Sequence, residues 1–128
     1  MQPVNPATLA PARGYSHGMR GSGEILFVAG QIGWDAAARL VSDDFALQFG
    51  QALDNVLAVV REAGGGHESI GRLTIYVVDK REYLARAKDI GTAYRARMGC
   101  HFPAMALVEV KSLLEEGAKV EIEATAVL

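Results

Sequence analysis

Carboxylates on two predicted strands are the residues of this chain best suited to acid–base chemistry. Glu121 and Glu123 alternate with apolar residues in VEIEATAVL, so a strand there places both carboxylates on one face. A carboxylate in a partly dry cleft can exchange a proton near neutral pH and activate water. Glu109 ends the stretch HFPAMALVEV and would join them if it lay on a neighbouring strand in suitable register. A solvent-facing or ion-paired role explains Glu121 equally well and explains Glu123 better.

The histidines are the other titratable candidates, because their charge changes near neutral pH. His17 and His101 lie close to the stretches that carry the possible chemistry. Ser16 precedes His17 directly, so on a strand the two side chains point to opposite faces and form no nucleophile–base pair. The histidines lack metal-binding spacing such as His-Glu-x-x-His, and the glycine run at 64–66 lacks the Lys-Ser/Thr of a phosphate loop. We therefore predict neither a metal nor a cofactor.

Composition limits the class of protein. A chain of 128 residues with 50% hydrophobic residues predicts one globular domain over residues 1–128. The net charge of -2 argues against a nucleic-acid binder, because phosphate contacts need a basic excess. Cys100 is the only cysteine, and no stretch has the pattern of a secretory signal or a membrane span. We expect a cytoplasmic protein without a membrane or nucleic-acid partner.

Two helices are predicted between the strands. Residues 42–44 (SDD) offer N-cap oxygens to the first helix, and the glycine run at 64–66 ends it. The second helix begins at Asp79 and ends near Met98, before Gly99. The apolar residues of the first helix recur at helical spacing and form one stripe, which comprises Phe45, Phe49, Leu53, Val56, Leu57 and Val60.

The main strands are predicted at residues 24–31, 72–78, 102–110 and 120–128, which gives an α+β fold. Two helices can cover one face of such a sheet, and the other face must be polar or covered by something else. If Ala104, Ala106, Val108 and Val110 face the helices, then Met105, Leu107 and Val127 lie on the second face. Because that surface is partly apolar, we expect a closed homo-oligomer in which subunits cover each other's sheets.

Six short motifs follow one another along the chain: GYSHG, LFVAGQIGWD, QALDNVLAVVREAGG, RLTIYVVDKREY, HFPAMALVEV and VEIEATAVL. In these motifs the chain resembles the Rid/YjgF family, whose best understood members are reactive-intermediate deaminases. GYSHG is similar to the family's PYS-x-A/G, and LFVAGQIGWD is similar to its SGQI strand. RLTIYVVDKREY resembles T-x-F/Y-V-x-D, HFPAMALVEV resembles FPARS-x-x-x-V, and VEIEATAVL resembles IEIEAIAV. The resemblance implies a chorismate-mutase-like fold, a mixed sheet with two helices on one face. It also implies a homotrimer, assembled as a barrel, with pockets between subunits.

The resemblance also implies roles for individual residues. The family's pocket hydrolyses imines and enamines to 2-oxo acids and ammonia, and Glu121 matches the acid that activates or orients water. Tyr15 matches a tyrosine whose hydroxyl approaches the ligand, and Gly30 matches a glycine that lets a ligand reach the backbone. The arginine that binds the substrate carboxylate in the family falls at Met105, whose thioether offers neither charge nor a donor.

The loss of this arginine indicates a subgroup with a non-standard substrate. Met105 is a core residue or lines a less polar pocket, and the strand from Met105 through Ala106 to Leu107 would hold the ligand. His17, His101 or an arginine of a neighbouring subunit would replace the lost cation; the arginines considered are Arg13, Arg20, Arg95 and Arg97. Ala29 and Ala87 stand where the family has a serine and an asparagine.

Three functions are compatible with these residues. The leading hypothesis is a hydrolase of an imine, an enamine or a related small metabolite. The alternative is a non-catalytic trimer that binds a small ligand or regulates a partner. The third is an endoribonuclease or translation inhibitor, which the net charge disfavours.

Overall fold

A mixed four-stranded sheet forms the centre of the molecule, which a computed structural model describes over residues 1–128. Its strands lie in the order β3-β6-β4-β5, and only the β4–β5 pair is parallel. A separate pair of short strands, β1 and β2, lies near the N-terminus. The strands are β1 Gln2–Val4, β2 Gly18–Arg20, β3 Ile25–Ile32, β4 Ile70–Val77, β5 Ala104–Glu109 and β6 Val120–Val127. The helices are α1 Phe45–Glu62, α2 Lys80–Ala85 and α3 Ala87–Met98.

Helix α1 forms the predicted apolar layer against the sheet. It begins after Asp44, whose Oδ2 accepts a hydrogen bond from the Leu47 amide at 3.0 Å. It ends before Gly64, which has a φ of +92° that few other residues adopt. Every residue of the predicted stripe is buried against the inner face of the sheet, as expected from its spacing.

The second predicted helix is broken at Arg86 into α2 and α3. Arg86 has a non-helical backbone, and its guanidinium binds Asp44 at the start of α1 and Asp89 at 3.1 Å. This ion pair ties the junction between α2 and α3 to the beginning of α1. The break therefore depends on a contact between residues far apart in the sequence, which helical spacing does not reveal.

The predicted faces of β5 are wrong. β5 runs parallel to β4, with Leu73 opposite Met105 and Ile75 opposite Leu107, and paired residues share a face. Leu73 and Ile75 are buried in the core, so Met105 and Leu107 pack on the helix side. The uncovered face of β5 instead carries Ala104, Ala106 and Val108. The stretch is apolar on both faces, so alternation alone did not distinguish them.

The predicted uncovered face of the sheet is present and carries exposed apolar side chains. Phe27 is 78% exposed, Ile25 58% and Val108 42%. Val127 lies on this face as predicted, because it alternates with the buried Ala126. The helices lie on the opposite face. None of the helices has the length and apolar character needed to cross a membrane.

Gln48 fixes the loop that leads into β6 and is fully buried on α1. Its Nε2 donates to the Ser42 carbonyl at 2.9 Å and to the Gly117 carbonyl at 3.0 Å. Its Oε1 accepts from the Lys119 amide at 2.8 Å. A buried side-chain amide with satisfied hydrogen bonds is held rigidly, so it fixes Lys119, which directly precedes β6 and lies two residues before Glu121.

Candidate functional site

Glu121 lies on the uncovered face of the sheet, beside Gly30 on β3. A Cβ added to Gly30 would lie 2.5 Å from Glu121 Oε1, so the glycine makes room for the carboxylate. The β3–β6 register shifts between Val28 and Gln31, which places this close approach at a β-bulge. Bulges commonly re-aim side chains next to functional sites. The structure thus brings together two of the predicted site residues, Glu121 and Gly30.

The two carboxylates on this face differ in their partners. Glu123 Oε1 accepts a hydrogen bond from the Tyr76 hydroxyl at 2.8 Å, and this bond, with burial, raises the pKa of Tyr76. Tyr76 therefore stays protonated and continues to donate to Glu123. The Glu121 side chain has no hydrogen bond or ion pair within the chain and is only half-buried. Glu121 is thus the carboxylate that is free to act on a ligand or a water molecule.

A cleft of ≈ 320 Å³ opens on the other side of the sheet, between β5 and the helices α2 and α3. Met105 lines it, together with aromatic and aliphatic side chains. Eight of its eleven lining residues are hydrophobic. The apolar side chains come from α1, α3, the sheet and the segment before β5, and they are Phe49, Ile75, Ile90, Phe102 and Met105. Its volume is in the lower part of the range for small-molecule sites.

Two tyrosines give this cleft a polar component. The Tyr94 hydroxyl donates to the His101 carbonyl at 2.7 Å, and its ring stacks on Phe102 with centroids 5.5 Å apart. Tyr83 packs edge-on against Phe45 at 6.2 Å, and its hydroxyl has no hydrogen-bond partner within the chain. Burial raises the pKa of both Tyr83 and Tyr94. Tyr83 therefore remains a neutral donor that can serve a ligand.

Arg95 is the charged residue among those that line the cleft. Its guanidinium extends back along α3, with Nη1 3.2 Å from the position of a Cβ on Gly91. It makes no ion pair, whereas Arg97 on the same helix binds Asp54 at 2.7 and 3.0 Å. The sequence indicated Arg95 only as a contribution from a neighbouring subunit, but the structure places it beside Met105 in the same chain's cleft.

The remaining predicted residues are dispersed. Tyr15 is half-exposed between Gly14, which lines the cleft, and Ser16, whose amide donates to the Pro103 carbonyl beside β5. Its ring packs edge-on against His17 at 5.4 Å. His17 Nε2 lies 2.6 Å from the Ala10 carbonyl, so its imidazole is engaged by the N-terminal segment.

Two further candidate residues, His101 and Glu109, have structural contacts away from the cleft. His101 Nε2 lies 2.7 Å from the Ile70 carbonyl and joins the end of α3 to the start of β4. Glu109 accepts from the Lys80 amide at 3.2 Å at the beginning of α2. The prediction that Glu109 could share a face with Glu121 on a neighbouring strand is wrong. β4 lies between β5 and β6, and Glu109 follows the helix-facing alternation of Met105 and Leu107.

One chain does not bring Met105 and Glu121 together. Met105 and Leu107 face the helices, while Glu121 and Ala106 lie on the uncovered face. The cleft and the free carboxylate are therefore separate halves of the predicted site in a single subunit. Their combination requires a second copy that presents one half to the other.

The chain is similar to known proteins in both sequence and structure. The family model described as endoribonuclease L-PSP matches residues 6–128. The 2-iminobutanoate/2-iminopropanoate deaminase of Salmonella typhimurium is 34% identical over 122 residues, which is 95% of this chain and 91% of that protein.

The solved structures show the same fold. YyfB of Yersinia pestis, a Rid-family protein of unknown function, has a TM-score of 0.88 and 33% identity, covering 99% of this chain and 98% of that one. TdcF of Escherichia coli with bound serine has a TM-score of 0.72 and 26% identity, covering 97% and 93%. The chain therefore belongs to the endoribonuclease L-PSP family, the family of the Rid and YjgF proteins.

Proposed function

We propose that the protein hydrolyses an imine, or the enamine in equilibrium with it, at a site formed between subunits. The observation that carries the proposal is the free Glu121 carboxylate on an uncovered, apolar sheet face. The similarity to proteins named 2-iminobutanoate/2-iminopropanoate deaminase supports this reaction class. The cytoplasm, a reducing compartment, is compatible with the exposed free thiol of Cys100.

The proposed reaction needs one base that later acts as an acid. Glu121 takes a proton from water while the water oxygen bonds to the carbon of the N-protonated imine and the C=N π electrons move to nitrogen, which gives a neutral carbinolamine. Glu121 then returns the proton to the carbinolamine nitrogen. Ammonia leaves as the C–N bond breaks, the carbonyl forms, and the Glu121 carboxylate accepts the hydroxyl proton. A carboxylate in a site shielded from bulk water suits both transfers.

The proposed assembly is a homotrimer. Each subunit interface, or seam, joins the cleft of one subunit to Glu121 of the next. Phe27, Ile25 and Val108 give the uncovered face the apolar character of a subunit interface. A ring with one repeated interface closes without leaving an exposed copy of that face. The trimeric number follows from the family resemblance.

A turnover assay tests the reaction. An amino-acid oxidase generates imines from alanine, leucine or phenylalanine, and semicarbazide traps each imine that has not yet been hydrolysed. We expect the protein to reduce semicarbazone formation, with a weaker effect for the alanine-derived imine because its methyl group contacts little of the apolar cleft that Met105 lines. If it accelerates hydrolysis of none of these imines, the proposal is wrong. If the alanine-derived imine is the best substrate, Met105 does not restrict the substrates to imines with larger apolar side chains.

The alternative is a non-catalytic trimer that binds a small ligand. The mostly apolar cleft favours this function, because it contains no carboxylate that could activate water. Ligand binding without turnover, unchanged by Glu121→Gln, would identify such a module. Endoribonuclease activity is less compatible with a net charge of -2. Cleavage of a single-stranded RNA that Glu121→Gln abolishes would support it instead.

A further inference from the structure

The cleft combines one unpaired cation with a large apolar surface. Arg95 is the charged residue of its lining, and no carboxylate of the chain neutralises its guanidinium. Two nearby arginines already have carboxylate partners: Arg86 binds Asp44 and Asp89, and Arg97 binds Asp54. A guanidinium left unpaired beside an apolar cleft is suited to an anionic ligand, since it presents several donors in a planar fork.

Gly91 allows Arg95 to lie along the cleft. Arg95 Nη1 is 3.2 Å from the site of a Cβ on Gly91, one helical turn earlier. A Cβ at position 91 would push the guanidinium aside by a few tenths of an ångström, because that separation is tighter than an ordinary van der Waals contact. The glycine is thus a specific feature of α3 that costs helix propensity and leaves space for Arg95.

A second donor lies in the same lining. The Tyr83 hydroxyl has no partner within the chain and belongs to the same cleft as Arg95. A guanidinium and a phenol together offer donors to both oxygens of a carboxylate. The rest of the lining offers no further charge, so it would contact the uncharged part of the ligand.

The apolar lining indicates the size of the uncharged part of the ligand. Phe49, Ile75, Ile90, Phe102 and Met105 all lie on the cleft of ≈ 320 Å³. Phe102 and Met105 are the part-buried members of this set, and a ligand with only a methyl or ethyl group would cover little of them. Burial of apolar surface is favourable in proportion to the area removed from water, so a branched or aromatic body gains more there than a short one.

We propose that Arg95 is the carboxylate-binding residue of this cleft and that its ligands are monocarboxylates with a bulky apolar body. For the proposed hydrolysis, this selects 2-imino acids that carry branched or aromatic side chains. The assignment of the substrate class rests on the proposed function, whereas the binding assignment does not. Arg95 on α3 thereby takes the role of the arginine that the family has on β5, at the position of Met105.

Binding of stable probes to the assembled protein tests the proposal. Calorimetry would compare 3-phenylpropanoate with its amide, which lacks the charge, and with propanoate, which lacks the ring. We expect the amide to bind about tenfold or more weakly than 3-phenylpropanoate, because it loses the charge-assisted hydrogen bond. We expect propanoate to bind about tenfold or more weakly because it buries no ring. Equal binding of acid and amide would contradict a role for the cation. If propanoate binds as tightly as 3-phenylpropanoate, the ligand does not need a bulky apolar body.

Variants assign the effect to Arg95. Arg95→Gln should weaken 3-phenylpropanoate about tenfold or more without weakening the amide, and Arg95→Lys should restore part of the loss. The control is Arg61→Gln, which removes an exposed, unpaired arginine from the last turn of α1. Arg95 is also exposed, so thermal melting should be unchanged in both variants. Binding without turnover would overturn only the proposed reaction. Binding or turnover that is unchanged in the Arg95→Gln variant would overturn the assignment of Arg95.

Discussion

Glu121→Gln lowers the rate of imine hydrolysis by about two orders of magnitude or more, the usual contribution of a general acid–base residue. The amide keeps the size of the carboxylate and therefore its fit beside Gly30, but it cannot accept and return a proton. Initial rates in the oxidase-coupled assay measure the effect. Sedimentation velocity on the same preparation checks that the variant still assembles.

Glu123→Gln is the matched control for this substitution. Glu123 lies on the same strand and face, but its carboxylate is occupied by the Tyr76 hydroxyl. The side-chain oxygen of the introduced glutamine can still accept that hydrogen bond, so we expect a rate within a few-fold of the parent. Equal loss of activity in both variants would show that the uncovered face tolerates no change in charge, and Glu121 would have no special role.

Phe27→Glu abolishes both assembly and turnover. Phe27 is 78% exposed on β3 in the isolated subunit and would be covered by the next subunit in the proposed ring. Burying a carboxylate without a partner at an apolar subunit interface costs several kcal/mol. This penalty would occur at each of the three interfaces. We expect sedimentation velocity to show a folded monomer, and hydrolysis to fall to the uncatalysed rate.

Leu114→Glu provides the control for added charge. Leu114 is 99% exposed in the loop before β6, away from the strands of the uncovered face. The same change from an apolar side chain to a carboxylate should leave assembly and turnover unaltered. A Phe27→Glu protein that sediments as the parent does and remains active would exclude the uncovered sheet face as the subunit interface.

The sequence predicted those parts of the fold that depend on local patterns. Phe45 to Val60 form the expected buried stripe, and β6 alternates as VEIEATAVL indicates, with Glu121 and Glu123 on the uncovered face. Both patterns have a clear period and opposite polar and apolar faces. The resemblance to the Rid/YjgF family, which depends on short motifs in order, was confirmed by the family match over residues 6–128.

The remaining features depend on contacts between distant segments. β5 is apolar on both faces, so only its pairing with β4 shows that Met105 turns towards the helices. The break at Arg86 follows from its ion pair with Asp44. Arg95 was missed as a residue of the cleft because a helical arginine next to an apolar stripe usually faces solvent. The spacing of Gly91 and Arg95, one turn apart, was the available signal.

Subunit complementation tests most directly whether the site is shared between chains. Ala87→Trp fills the cleft from the exposed start of α3, and Glu121→Gln removes the base, so each variant alone should be inactive. In a ring of three, every mixed assembly contains one seam where an intact cleft meets an intact Glu121. Random co-assembly should therefore restore about a quarter of the parental activity. If co-assembled variants recover no activity, the cleft and Glu121 do not act together across a subunit seam.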